Sequence, residues 1–164
     1  QHLASLLIQD SIDAQYAGAA AMGFDGHLII EGTSGYGDAF MVGASQKETL
    51  PEKVQSNVRA VYQELSLVLA DVRFEWVYDG SSVWIVQLHV GKIGSHGNVI
   101  YEGNPSSWLN VNAHDGLECL RNIIATLPHD VGIYLYGNVG ITSHFGDILR
   151  KAKVPSQLVS TKTP

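Results

Sequence analysis

The chain has 164 residues, 45% of them hydrophobic and 16% charged, with a formal net charge of −6. That is enough apolar material for a buried core and too much for a disordered segment. The acidic balance, with no run of Lys and Arg to override it, argues against a nucleic-acid partner, and no apolar stretch reaches the roughly 20 residues that span a bilayer. Asp10 and Asp13 follow the short apolar run from Leu3 to Ile8, so no signal peptide is read there. Cys119 is the only cysteine, which leaves no internal disulfide and makes a reducing cytoplasm the expected location. The chain opens on Gln1 rather than Met, which raises the expectation of a processed chain or a piece of a longer one.

Glycine-punctuated apolar runs follow in order. Residues 5–10 (SLLIQD) and 27–32 (HLIIEG) read as strands, and 17–26 (AGAAAMGFDG) as a strand entering a turn. Residues 32–38 (GTSGYGD) form a glycine-rich loop. A helix is expected over 51–70. Thr49 and Glu52 have capping-box spacing, and Pro51 suits a first helical position. Val54, Val58, Val61, Leu65 and Val68 make a core-facing stripe. Residues 72–90 (VRFEWVYDGSSVWIVQLHV) read as a hairpin. The glycines and proline of 91–107 mark a linker or domain seam. A second helix over 116–127 is capped by Asp115, with Glu118 three residues on. A buried strand at 131–137, a helix at 143–152 and a last strand at 156–160 complete the chain. Helix, strand, helix, strand is the order of a small α/β layer. The expected fold class is therefore α/β or α+β in two units, 1–92 and 93–164.

Three places carry chemistry. In the hairpin, a three-residue turn at 80–82 sets Glu75 opposite Gln87 and Arg73 opposite His89. All four then share a face with Val77, Val83 and Ile85, and Phe74, Trp76, Tyr78, Trp84, Val86 and Leu88 form the core face. A carboxylate and an amide oxygen opposed in this way suit a hard cation such as Mg2+, which shares oxygen ligands with nucleotide phosphates. Glu31 leads into the glycine-rich loop, where Gly35 and Gly37 let backbone N–H groups approach a phosphate; no Gly-Lys-Ser/Thr follows, so this is not a Walker loop. In "GITSHFGDILRKAKVP" (140–155), Thr142 or Ser143 can cap the helix read at 143–152, with His144 at its start. The imidazole then stands beside the first free N–H groups, where negative charge is favoured and histidine can act as a nucleophile. A solvated sheet face, a plain connector and a structural histidine are the alternatives at these three places. His2, His27, His96, His114 and His129 show no metal-ligand spacing.

In this order the segments resemble the phosphoenolpyruvate synthase and pyruvate phosphate dikinase group, which includes rifampin phosphotransferases and glucan water dikinases. "LLIQDSIDAQYAGAAAM" is similar to the group's Val-Gln…Ser-Gly-Val-Ala-Phe-Thr segment, and "IEGTSGYGDAFMVG" to Ile-Glu-x-x-x-Gly-Leu-Gly-Glu-x-x-Val-x-Gly. "RFEWVYDGSSVWIVQLHV" is similar to the Asp-Ile-Glu-Trp…Leu-Gln-x-Arg-Pro hairpin, with His89 at the position of the Arg. "GITSHFGDILRKAKVP" is similar to Gly-x-Thr-Ser-His-(x5)-Arg-(x4)-Pro, which places His144, Arg150 and Pro155 in register. The resemblance implies the C-terminal lobe of an ATP-grasp domain, an antiparallel sheet with a helix, followed by a small, truncated swivelling phosphohistidine domain. It implies ATP at Glu31, Gly35, Gly37, Glu75, Gln87 and His89, Mg2+ on Glu75 and Gln87, and a phosphoryl group carried by His144. It further implies an N-terminal ATP-grasp lobe, in the same polypeptide or another subunit, and a small-molecule or carbohydrate acceptor. The chain would then be part of an ATP-dependent dikinase or phosphotransferase. The alternative is a non-catalytic nucleotide-binding or regulatory module of the same fold.

Overall fold

The strand expected near the start of the chain runs over Tyr16–Met22 (β1), and its small side chains set the architecture. In the computed structural model, which describes residues 10–44 and 47–159, Ala17, Ala19, Ala20 and Ala21 are all buried. Both faces of β1 are covered, and alanine fits that crowding. β2 (Leu28–Ser34) and β3 (Val72–Tyr78) pair with β1 on either side, and β4 (Val83–Val90) pairs with β3. The result is an antiparallel sheet of order β2-β1-β3-β4. The strand read at 5–10 lies outside the described residues except for Asp10, which belongs to no strand. The loop read at 32–38 is shorter than expected: β2 continues through Ser34, and the chain turns at Gly35 (φ +70°) into a one-turn helix, α1 (Asp38–Met41).

Helix α2 (Glu52–Leu69) covers one face of this sheet, packing Val54, Val58 and Tyr62 with Ala20, Phe74, Trp76 and Tyr78. Two details of the expected helix change. Pro51 is itself the N-cap, with extended backbone (φ −55°, ψ 144°) and no side-chain cap bond. Thr49 then stands too far outside to reach the first-turn N–H groups, so the capping box does not form. The apolar stripe also turns from Leu65 onto Leu69, leaving Val68 82% exposed. Steps of three and four residues keep only one of those two neighbours on the core side.

The hairpin contains the pairs Arg73–His89 and Glu75–Gln87. A bulge beside Glu75 then leaves Val86 unpaired, so that Trp76 faces Ile85, Val77 faces Trp84 and Tyr78 faces Val83. The turn is residues 79–82, one longer than expected, and Val83, Trp84 and Ile85 exchange faces. Val83 joins the α2 core, whereas Trp84 is 49% exposed and donates its indole N–H to Asp79 Oδ2 at 2.8 Å. That bond first, then the Ser82 and Ser81 N–H groups, holds the Asp79 carboxyl well below the usual carboxylate range. Val86 and Leu88 are exposed as well: among the described residues β4 is an edge strand with no paired neighbour on its outer side.

The second sheet has order β5-β8-β7-β6, built from β5 (Val99–Tyr101), β6 (Ser107–Asn112), β7 (Val131–Tyr136) and β8 (Ser156–Val159). β6, β7 and β8 are parallel and β5 is antiparallel to β8. α3 (Gly116–Thr126) and α4 (His144–Ala152) supply the crossovers that parallel neighbours require. β5 lies inside the stretch read as a linker, and β6 begins at its end. Asp115 makes no cap bond; Asn112 instead accepts from the His114 N–H at 3.0 Å, in the 3-10 turn before α3. Ile100, Leu120, Ile133, Leu135, Phe145 and Leu149 form a core that reaches Ala21 and Ile29 of the first sheet. The sheets divide between Val90 and Val99, yet they share that core. The fold is mixed α/β of the α+β kind. Among the described residues no helix is long and apolar enough to cross a membrane.

Candidate functional site

Alternation along β1, β2 and β3 puts residues 29, 31 and 33 on one face with 17, 19, 21 and with 73, 75, 77. The face opposite α2 therefore carries two polar rows. Glu31, Ala19, Glu75 and Gln87 stand side by side across all four strands, followed by Ile29, Ala21, Arg73 and His89. Three of the residues singled out by the sequence fall in the first row, which spans about 14 Å at ~4.8 Å per strand. Gln87 and His89 are exposed on the edge strand. The Gln87 amide nitrogen donates to His89 Nε2 at 2.8 Å, because an amide NH2 cannot accept. The Gln87 oxygen is left for another partner.

The loop before α4 lies across this face. Glu31 Oε2 accepts from the Thr142 N–H at 2.9 Å and from the Thr142 hydroxyl at 2.8 Å, while Glu31 Oε1 meets Lys47 at 3.4 Å. Gly140 permits the approach, since a Cβ there would stand 2.4 Å from Glu31 Oε2. One turn into the helix, Asp147 Oδ1 accepts from both Arg73 and Arg150, the latter at 2.7 Å. Arg150 also donates to the Ile141 carbonyl at 2.9 Å and to Ser95 at 3.0 Å. Burial lowers its pKa from the ordinary arginine value, and Asp147 pulls it back up, so it stays charged. Glu75, His89, Thr142 and Asp147 enclose a cavity of only about 10 Å³.

His144 opens α4 and is half-buried. Ser143 is the N-cap, but the expected capping bond is absent from both candidates. The Ser143 hydroxyl donates to the Gly140 carbonyl at 2.6 Å, and the Thr142 hydroxyl is held by Glu31. The helix thus begins with no side-chain oxygen on its first N–H groups, which leaves those donors for an anion near His144. Gly146 keeps this turn tight: a Cβ there would fall 2.1 Å from the Ile141 carbonyl oxygen. Gly146→Ala is expected to push the 140–143 loop off Glu31 and destabilise the chain by about 2–3 kcal/mol, measured as a lower urea midpoint.

Gly35 and Gly37 are not brought into the polar row. They follow the end of β2, with Gly35 about 13 Å from Glu31 along the strand direction, and the Gly35 N–H is taken by the Gln15 carbonyl at 2.8 Å. Gly37 begins α1 without a side-chain cap. Among the described residues no group of three or more His, Cys, Asp and Glu could hold a metal ion. Sequence reasoning missed the Glu31–Thr142 contact and the sharing of Asp147 by Arg73 and Arg150. No local pattern signals either, since Thr142 is 111 positions from Glu31 and Asp147 is 74 from Arg73.

A scan against family models and searches of curated proteins and solved structures find no match to this chain.

Proposed function

We propose that the chain is the half of an ATP-dependent phosphotransferase that carries Glu75, Gln87 and the phosphoryl-accepting His144. The observation that carries this reading is the placing of the loop before His144 on the very face that bears Glu31, Glu75 and Gln87. In the reaction an imidazole nitrogen of His144 attacks a phosphorus of ATP. A P–N bond forms, a P–O bond breaks, and the nucleotide leaves with the oxygen. Uncapped N–H groups at the start of α4 favour the charge that the ring then carries.

Two oxygen ligands and no larger acidic cluster fit Mg2+, which commonly takes one or two protein carboxylates and completes its shell with phosphate and water. Glu75 and Gln87 would hold the ion, whose chemistry would be to neutralise charge on the phosphates. Glu31 orients the histidine loop through Thr142, and Lys47 balances its second oxygen. The space between Glu75 and Thr142 is too small for phosphates, so the His144 unit has to lift to admit ATP and return to receive the group. The expected partner is a second lobe bringing further Lys and Arg. Trp84, Ile85, Val86, Leu88 and Val90, between 39% and 70% exposed on what is an edge strand among the described residues, offer it an apolar seat. The final acceptor is a small molecule or carbohydrate.

Glu75→Gln tests the nucleotide side. It removes a charged hard ligand while keeping the shape, and is expected to weaken Mg2+–ATP binding at least tenfold in calorimetry without altering metal-free ATP binding. Equal Mg2+–ATP affinity in the two proteins would contradict the assignment. A binding or regulatory module of the same fold is favoured by one observation, the imidazole of His89 where a guanidinium fork would grip phosphate better. That reading predicts nucleotide binding with no label on His144.

A further inference from the structure

Where the hairpin ends, a second and larger cavity of about 440 Å³ opens against the C-terminal half of α4. Four cations line it (Arg73, Lys92, Arg150 and Lys151) against the single carboxylate of Asp147, in a chain whose formal net charge is −6. Neither Glu75 nor Gln87 lines it. Asp147 engages both guanidinium groups through one oxygen, and Arg73 has no second hydrogen-bond partner among the described residues. Lys92 reaches Asp71 only at the surface, at 3.7 Å, and Lys151 has no ion-pair partner among the described residues. Positive charge gathered in a concave, partly desolvated place and only partly neutralised attracts and holds an anion. Val90 and Ile93 add apolar lining, and the half-buried Tyr101 lines it as well. The volume lies in the range of small-molecule sites and exceeds what a bare phosphate fills.

We infer that this cavity binds a small phosphate monoester, its phosphate among Arg73, Lys92 and Lys151 and its carbon body against Tyr101 and Ile93. Four cations line the cavity against the one carboxylate of Asp147, with Lys92 also reaching Asp71 at the surface, and that surplus matches a dianion better than a carboxylate. The helix rise of 1.5 Å per residue puts Lys151 about 10 Å from His144. The site borders the nucleotide face at Arg73 and His89 but includes neither Glu75 nor Gln87, and the inference does not depend on that reading.

The test is calorimetric titration of the full chain with glycerol 3-phosphate at fixed ionic strength near 0.15 M, with glycerol and inorganic phosphate as comparison ligands. The ester is expected to bind with a dissociation constant of about 1 mM or lower, more tightly than inorganic phosphate, with no binding of glycerol. Lys92→Gln combined with Lys151→Gln is expected to weaken the ester at least tenfold with an unchanged urea midpoint, since both side chains are at the surface. Arg73→Gln gives a second measure, read alongside its own stability. Glu75→Gln should leave ester affinity unchanged while it weakens Mg2+–ATP, so the two readings fail separately. The inference is overturned by no ester binding up to about 10 mM, by full affinity in the double lysine variant, or by inorganic phosphate binding as tightly as the ester.

Discussion

Replacing His144 by Asn is expected to remove phosphoryl transfer, by a factor on the order of 10³ or more, while leaving the fold and Mg2+–ATP binding close to wild type. An asparagine amide keeps hydrogen-bonding capacity at the start of α4 but cannot carry a phosphoryl group. The fold should tolerate the change because the loop is fixed by other residues. Thr142 is held on Glu31 by two bonds, and Ser143 is held on the Gly140 carbonyl. A purely structural role for His144 gives a different pattern: a loss of about 1 kcal/mol for a helix-start interaction, with transfer intact. Parallel assays of transfer, nucleotide binding and urea unfolding separate the two. Near-wild-type transfer in a folded His144→Asn protein contradicts the reading.

The largest stability effect is expected at Asp147. Its side chain is 19% exposed, with Arg73 at 20% and Arg150 at 11%. Asp147→Ala leaves two guanidinium groups facing each other in a partly desolvated place without their shared carboxylate. Stranding one partner of a largely buried pair costs about 3 kcal/mol, or about 10 °C in melting temperature for a chain of this size. Adding Arg73→Gln should recover part of that loss, because the repulsion goes with the charge. A shift of less than about 0.5 kcal/mol in Asp147→Ala would show that the contact between α4 and the hairpin contributes little.

The legible parts of the chain were those set by local periodicity. Alternation placed Arg73, Glu75 and Val77 on one face, but the pairing of Glu75 with Gln87 was expected from a three-residue turn, and it forms because the bulge offsets a turn one residue longer. Beyond that pair the register was hidden, because a bulge at Val86 adds a residue without changing the apolar pattern. β6 was unreadable for a related reason. It is an edge strand whose Ser107, Asn110 and Asn112 face solvent, and only Val111 is buried. In the same way β4 looked like a core strand by composition, and its exposure follows from its place at the sheet edge. Glu31, Glu75 and His144 were each visible as candidates. The placing of the loop before His144 on the face of Glu31 and Glu75 was not, since it arises from strand order and from a contact between residues 111 positions apart.

Labelling of the protein expressed from its complete reading frame tests the central proposal most directly. The protein is incubated with Mg2+ and ATP labelled at the β or the γ phosphate, then split into acid- and base-treated samples and digested. The account predicts a label that is lost in acid and stable in base, as a P–N bond requires. It should map to the peptide containing His144 and be absent from His144→Asn. No label, an acid-stable label, or a label that persists in His144→Asn would contradict it.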